Sequence, residues 1–511
     1  MRRRRLIALA IAVTAIIAAY GFAVVAAQRV RGSAEQVAAA YFRAWRAADV
    51  RGMAGLVHRP PPDFVSRHVE FSERLRVEAI ELRPGPVRGT GGETAEVAFT
   101  GVRRLRDLGP WPFAATLRLG VREREWRVLW TPETLHPLLK DGGTLDLAAF
   151  EGPPAALVTR EGEPIPRNSY ADAYLDRLRA EFEPAGEGVA LVAAVPGGAE
   201  RRLLAVEPEP DTRRTTLSRP VQAAAARALD GVEDAAIVAV RPGTGEVLAV
   251  ADRLRAGHSA FHDLFPPGST FKTITAAALL EAGLDPAAEV SCPAAYTIPF
   301  HRSFTNAGAS DRGALSFADA FAHSCNTTFV REAVARLDEE DLRETAEEWG
   351  FHRTLPTGVG GRCGALEDPA GLDWFGANAI GQGSVVASPL CMAAVAAAVS
   401  DGTWRPPRLL AADEVRRVEG FPPLEPVTLD AGVVAALRDM MAAVVDHGTA
   451  SGAGLPRGVS GKTGTAETEG GPDHGWFIGY RDDVAFCVFV RHGGSGRSAA
   501  LPISARFVNG L

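Results

Sequence analysis

Apolar residues fall along this chain in three textures. The first is an unbroken run, LIALAIAVTAIIAAYGFAVVAA over residues 6–27, preceded by arginines at positions 2–5. Its 22 uncharged residues predict roughly 33 Å of helix, enough for a hydrocarbon core of about 30 Å. The arginine cluster favours the cytoplasmic side, which places everything after Arg29 outside, in a single-pass plasma-membrane topology. A cleaved signal peptide is the competing reading, because Ala26 and Ala27 are small residues near a permissible cut. The run exceeds the apolar length of such a signal, about 7–15 residues, which favours an uncleaved anchor over residues 1–30.

The second texture covers residues 32–147. AEQVAAAYFRAWRAADVRGMAGLV places Val37, Tyr41, Phe42 and Trp45 on one helical face. VEAIEL, TAEVAF, FAATLRLGV and EWRVLW then alternate between Gly/Pro-rich breaks, which predicts antiparallel strands. A helix packed on a curved antiparallel sheet buries both patterns. Residues 148–215 mix short apolar stretches with PP, EGEP, PAGEG, VPGG and EPEP breaks and read as a compact connecting region. From Thr216 to Leu511 long Ala/Val/Leu-rich helices alternate with strands. SRPVQAAAARAL (218–229) reads as a helix, AAIVAVRPGTGEVLAVAD (235–252) as a hairpin, and CVFVRH (487–492) as a strand. An antiparallel sheet built from both ends of this segment and packed by helices suits the pattern. The fold class is α+β.

Composition changes this picture in few places. The 511 residues exceed one core and imply two or three domains. A formal charge of −7 gives no basic bias and argues against a nucleic-acid partner. His58, His68 and His136 stand without ligand spacing and read as surface or core residues. The five cysteines (292, 325, 363, 391 and 487) are odd in number and scattered, and read as buried small apolar residues without bridges. No metal or cofactor is implied. Cationic side chains are almost all arginine. Of 55 Lys plus Arg, three are lysine: Lys140, Lys272 and Lys462.

Lys272 lies in PPGSTFKTITAAALLEAG (266–283), which carries the punctuation of a helix start, with Gly283 suited to the far cap. Ser269 sits at the entrance, where orphan N–H groups and the positive dipole end favour a developing alkoxide. Lys272 is three residues on and shares its helical face. A nucleophilic serine needs a base. Arginine stays protonated and cannot serve, whereas a buried lysine can. The bland reading, an N-capping serine with a surface lysine, has equal standing on this stretch alone. Lys462 falls in GVSGKTGTAE (458–467), where Thr463, Gly464 and Thr465 suit a substrate backbone and its carboxylate. Between them, FADAFAHSCNTTF (317–329) presents Ser324 and Asn326 where one helix ends and another begins.

S-x-x-K, S-x-N and K-T-G in this order resemble the motifs of penicillin-binding proteins and serine β-lactamases. IGQGSVVASPLCMA (380–393), HGWFIGY (474–480) and the 235–252 hairpin extend the resemblance to the transpeptidase domain of class B penicillin-binding proteins over residues 216–511. Residues 32–147, chiefly WRVLWTPETLHPLL (126–139), resemble the NTF2-like N-terminal domain of some of those proteins. VTREGEP is a faint echo of the arginine/glycine motif of the family's pedestal region.

The resemblance implies that Ser269 is acylated, Lys272 takes its proton, and Ser324 relays one to the leaving group in the field of Lys462. Asn326 would hold the substrate amide, and Thr463, Gly464 and Thr465 the end of the substrate, with the amides of Ser269 and Thr465 as oxyanion hole. The implied substrate is a peptidoglycan stem peptide ending in D-Ala-D-Ala, cross-linked through the acyl-enzyme, with β-lactams as acylating inhibitors. A membrane glycosyltransferase or synthase is the implied partner. The alternatives are a D,D-carboxypeptidase or serine β-lactamase, and a non-catalytic scaffold or β-lactam sensor.

Overall fold

The computed structural model describes residue 7, residues 10–18 and residues 30–511 apart from 258, 369, 421–423 and 469. Most of the expected membrane helix over residues 6–27 lies outside the described residues. Among the described residues no helix is long and apolar enough to cross a membrane. The chain divides into two compact units. One is the chain up to Pro153 together with Pro184–Pro210, and the other is Pro154–Glu183 together with Asp211–Leu511.

In the first unit, helix α1 (Ala34–Arg46) starts at a capping box in which the Ser33 hydroxyl accepts from the Gln36 amide and the Gln36 side chain accepts from the Ser33 amide. It buries Ala34, Ala38, Tyr41, Phe42 and Trp45, a stripe at helical spacing. The long apolar-faced segment does not continue as one helix. Ala48 turns into the left-handed region (φ 55°), and Asp49 accepts from the Gly52 amide to cap α2 (Val50–Leu56). Helix α3 (Phe64–Arg74) follows. Strands β1 (Val77–Gly91), β2 (Thr94–Leu105), β3 (Gly109–Arg122) and β4 (Glu125–Val128) form an antiparallel sheet in chain order. Strand β2 shows why it is a strand: Ala95, Val97 and Phe99 are buried while their neighbours are not.

Residues 148–215, read as one connecting region, are shared between the units. Strands β5 (Thr144–Glu151), β6 (Glu187–Ala194) and β7 (Arg201–Val206) make a three-stranded sheet in which Leu145, Leu191 and Ala193 enter the same core as Tyr41 and Phe99. Helix α4 (Asp172–Ala180) instead puts Tyr174, Leu175 and Leu178 into the core of the second unit. Within VTREGEP, Arg160 pairs with Glu246 at 3.3 Å. Glu161 accepts from the Ser218 hydroxyl and the Arg219 amide, at the start of helix α5 (Arg219–Ala228).

The second unit is organised by a five-stranded antiparallel sheet. Strands β8 (Ala235–Val240) and β9 (Val247–Asp252) form the hairpin, and β10 (Ser460–Ala466), β11 (His474–Arg481) and β12 (Val484–Val490) come from the end of the chain. The order is β9-β8-β12-β11-β10, which leaves β10 at an edge. Every residue of β8 is buried, as its unbroken apolar run requires. Four further helices shape the site: α6 (Lys272–Glu281), α7 (Phe317–Ala322), α8 (Asn326–Arg336) and α9 (Pro389–Asp401). Helix α9 is apolar all round and buried against β8, β11 and β12.

His474 of β11 is 5% exposed, and its ring packs beside Phe265, Phe489 and His492. Its Nδ1 accepts from the His492 amide at 3.1 Å, which fixes a neutral tautomer. Burial pulls its pKa down to about 4. The neutral ring therefore contributes stability above the unfolded pKa near 6.5, and this is lost as pH falls toward 4. Folding stability should drop by about 2–3 kcal/mol across that window. His474→Phe should flatten this part of a pH–melting profile.

Candidate active site

The Ser269 turn is held by backbone contacts that admit only glycine. Residues Gly268–Phe271 form a 3₁₀ turn that runs directly into α6. Gly268 has φ +52°, and a Cβ there would lie 2.2 Å from the carbonyl oxygen of Thr465 in β10. On the other side the Gly268 amide donates to the Gly381 carbonyl at 2.9 Å. The turn is thus clamped between the edge strand and the 380–393 segment. Ser269 lines a cleft of about 1240 Å³ with Ser324, Asn326, Thr463 and Thr465. Gly464 does not line it. Its Cα faces Thr270, whose Cγ2 would sit 2.7 Å from an added Cβ, so this glycine lets β10 approach the turn.

Lys272, one helical turn beyond Ser269, is 0% exposed. Its Nζ donates to the Ser324 carbonyl at 2.7 Å and to Asn326 Oδ1 at 2.7 Å, and lies 3.3 Å from Ser324 Oγ. The Asn326 amide is oriented by its Nδ2, which donates to the Thr305 carbonyl at 2.9 Å. Two of these three acceptors are carbonyl oxygens that can only accept. A neutral amine, with two N–H bonds and one lone pair, satisfies both and keeps the lone pair for a hydroxyl proton. In this structure Asn326 Oδ1 accepts from Lys272, a contact beyond the hold on the substrate amide that the resemblance implies.

Lys462 is also fully buried, and its Nζ donates to Ser324 Oγ at 2.9 Å and to the Thr463 carbonyl at 3.0 Å. Ser324 Oγ thus lies between two lysine nitrogens. Among the described ion pairs neither lysine has a carboxylate. Burial first, and the charge of Lys462 second, hold the Lys272 amine well below the usual lysine range. Burial pushes Lys462 down to about 7. Rings underlie both ammonium positions, Phe329 at 5.3 Å and Phe321 at 5.5 Å.

Helix α7 ends at Ala322 and α8 begins at Asn326. Ser324 bridges them at φ +60°, a conformation that costs a non-glycine residue on the order of 1 kcal/mol. Four of the five cysteines are bridged, contrary to the expectation from their odd number and scatter. Cys325 is bonded to Cys292, and Cys363 to Cys391, while Cys487 is free and buried. The fold brings together partners 33 and 28 residues apart, which linear spacing does not disclose. The first bridge ties the Ser324–Asn326 junction to the neighbouring strand Glu289–Cys292 and accounts for a cysteine at the variable motif position. Replacing Cys292 and Cys325 by serine should lower unfolding free energy by about 3.7 kcal/mol, the loop-closure value for a separation of 33 residues. It should also slow acylation of Ser269. Denaturant titration and labelling kinetics check both.

Three cleft features were missed from sequence. Thr449 Oγ1 lies 2.6 Å from Thr463 Oγ1. The Gly496 amide donates to Thr465 Oγ1 at 3.1 Å. His323 and His447 line the cleft, and His447 Nε2 is 2.9 Å from Asp319 Oδ1. The Gly448-Thr449 pair following an apolar helix was the only available signal, and alone it is weak.

The family profile of the penicillin binding protein transpeptidase domain matches residues 235–510, and that of the NTF2-like N-terminal transpeptidase domain matches residues 33–143. The chain is similar to the peptidoglycan D,D-transpeptidase PbpA of Mycolicibacterium smegmatis, 30% identical over 338 residues, which is 56% of this chain and 68% of that protein. Similarity to penicillin-binding protein PbpB of Mycobacterium tuberculosis is 27% over 306 residues, 52% of this chain and 42% of that one. Among solved structures, penicillin-binding protein A from M. tuberculosis, as its imipenem acyl-enzyme complex, matches with a TM-score of 0.51 and 25% identity. That match covers 60% of this chain and 80% of the other. The D,D-transpeptidase domain of a peptidoglycan glycosyltransferase from Eggerthella lenta shares the fold, with a TM-score of 0.54 and 21% identity over 71% of this chain and 98% of the other. With one profile spanning more than half of its residues and this fold beside it, the chain belongs to the penicillin-binding protein transpeptidase family.

Proposed function

We propose that the chain is a serine D,D-transpeptidase that cross-links peptidoglycan stem peptides and is acylated by penicillins. One observation carries the reading: Lys272 is fully buried, has no carboxylate partner among the described residues, and its Nζ lies 2.7 Å from each of two carbonyl oxygens. In this reading Ser269 Oγ attacks the carbonyl of the penultimate D-alanine while its proton passes to Lys272 Nζ. The amides of Ser269 and Thr465 receive the oxyanion. Ser324 Oγ, placed between the two lysines, passes a proton to the departing D-alanine amine. An amine of a neighbouring stem then attacks the acyl-enzyme, restores the Ser269 hydroxyl and leaves a new amide as the cross-link.

The test is to incubate the full chain in detergent with a fluorescent penicillin and follow the adduct. A long-lived ester on Ser269 is the expected result. Rapid turnover would make the chain a hydrolase of the carboxypeptidase or β-lactamase type, and no labelling would rule out both enzyme readings and leave a scaffold role.

The proposal extends to location. The four arginines and the 22-residue apolar run support a single-pass plasma-membrane anchor with the two units outside. Resistance to alkaline extraction, with protease access from the outer side, checks this. Glycan strands must be polymerised before their stems are cross-linked, so a membrane glycosyltransferase is the partner such an anchor would keep within reach. Co-purification with such an enzyme tests that step.

A further inference from the structure

We infer that Arg497 is the specificity-determining cation for the substrate's C-terminal carboxylate, holding it against the Thr463 and Thr465 hydroxyls. The inference rests on the transpeptidase reading and adds a residue that lies outside its three motifs. Arg497 belongs to a single π-helical turn, Gly496–Ala500, capped where the Ser495 hydroxyl accepts from the Ser498 amide. It lines the same cleft as Ser269, Thr449, Thr463 and Thr465.

Its guanidinium is tethered rather than loose. Nη1 donates to the Thr449 carbonyl and Nη2 to the Ser451 carbonyl at 3.2 Å. Both partners are neutral. Among the described residues no carboxylate lies within ion-pair distance of Arg497, whereas many other arginines of this chain are paired with Asp or Glu. A guanidinium has five N–H bonds, so donors and a full charge remain for a ligand in the cleft.

Proton accounting at the two threonines points the same way. Thr465 Oγ1 already accepts from the Gly496 amide, so its own proton is available to donate into the cleft. Thr449 and Thr463 share one proton across 2.6 Å, and the other proton of the pair is available outward. Thr449 is the residue whose carbonyl holds Arg497, and Gly496 is its chain neighbour. Two hydroxyl donors and one cation thus form a single connected patch. Such a patch fits an acceptor-only group with two oxygens and a negative charge, which is a carboxylate.

The experiment compares benzylpenicillin with its methyl ester on the full chain in detergent, following the Ser269 adduct by intact mass. Arg497→Gln should lower the second-order acylation constant for the acid roughly 10- to 100-fold and leave that for the ester within about twofold, because only the acid offers a charge to the guanidinium. Arg497→Lys should keep the acid within about tenfold of wild type, since the charge remains while the fork is lost. Raising salt should weaken the acid's advantage in wild type and leave Arg497→Gln unmoved. Equal losses for acid and ester would overturn the inference, because they would mean that Arg497 only braces the 449–451 segment. Unchanged constants for both would overturn it as well. Wild-type chain that takes up neither compound at Ser269 would overturn the transpeptidase reading and this inference with it.

Discussion

Lys272→Arg is expected to slow acylation of Ser269 by about a thousandfold or more, the scale of a lost general base, although the positive charge is kept. The guanidinium cannot release its proton, and it presents no lone pair to a serine hydroxyl. The geometry sharpens this beyond charge. Ser324 O and Asn326 Oδ1 take two N–H bonds of Lys272 Nζ, which a neutral amine can supply while keeping its lone pair. Lys272→Met serves as comparison and should be as slow as the arginine variant. Substantial labelling in Lys272→Arg, with Lys272→Met dead, would mean that the site needs a cation there and would sink the base assignment. The pH profile carries a second arm. Protonated Lys272 is inactive, so acylation rises with pH as the pair of amines loses its proton. The charge of Lys462 is one of the two forces holding Lys272 low. Lys462→Met removes it, raises the Lys272 pKa and should move the rising limb toward alkaline pH.

Gly268→Ala should be nearly as damaging without touching any reacting atom. The new Cβ would lie 2.2 Å from the Thr465 carbonyl oxygen, at a backbone φ of +52°. Either β10 or the Ser269 turn must move. A displacement of about 1 Å is enough to lower the acylation constant by roughly a hundredfold, and the strain should cost about 1–3 kcal/mol of stability. Gly283→Ala is the control. That glycine also has positive φ, +84°, but an added Cβ meets nothing within 4 Å. It should cost about 1 kcal/mol and leave labelling kinetics intact. Equal kinetic losses in both variants would show that flexibility, rather than close approach, is what Gly268 supplies.

What the sequence disclosed was mostly local. The 235–252 hairpin, the strands over 77–128 and the serine turn each carry their signal within a few residues. The lysine pair stood out because arginine fills nearly every other cationic position. What stayed hidden depends on contacts between distant segments. Cys292 and Cys325 become partners only when the strand of one is laid beside the helix start of the other. The apolar residues of β6 and those of α4 are separated by few positions yet enter different cores, and no linear pattern marks where one ends. Asn326 reads as a substrate ligand in the motif, and only the fold shows its carbonyl turned toward Lys272. Arg497 is one arginine among many until β10 is seen beside its turn.

The order of strands in the catalytic sheet has a consequence for biosynthesis. Ser269, Lys272, Ser324, Lys462 and Thr465 all precede β12 in the chain, yet β12 sits between β8 and β11 and joins the early hairpin to the late edge strand. A nascent chain that has emerged as far as Arg481 carries every reacting group but lacks the strand that joins its two strand pairs into one sheet. Folding of this unit has to wait for pairing between segments more than 200 residues apart, a slow, non-local step. The nucleophile and its base are therefore expected to acquire their reactivity together, once the chain has been synthesised through Val490. Prematurely terminated chains would carry an unreactive serine and leave the cell wall untouched.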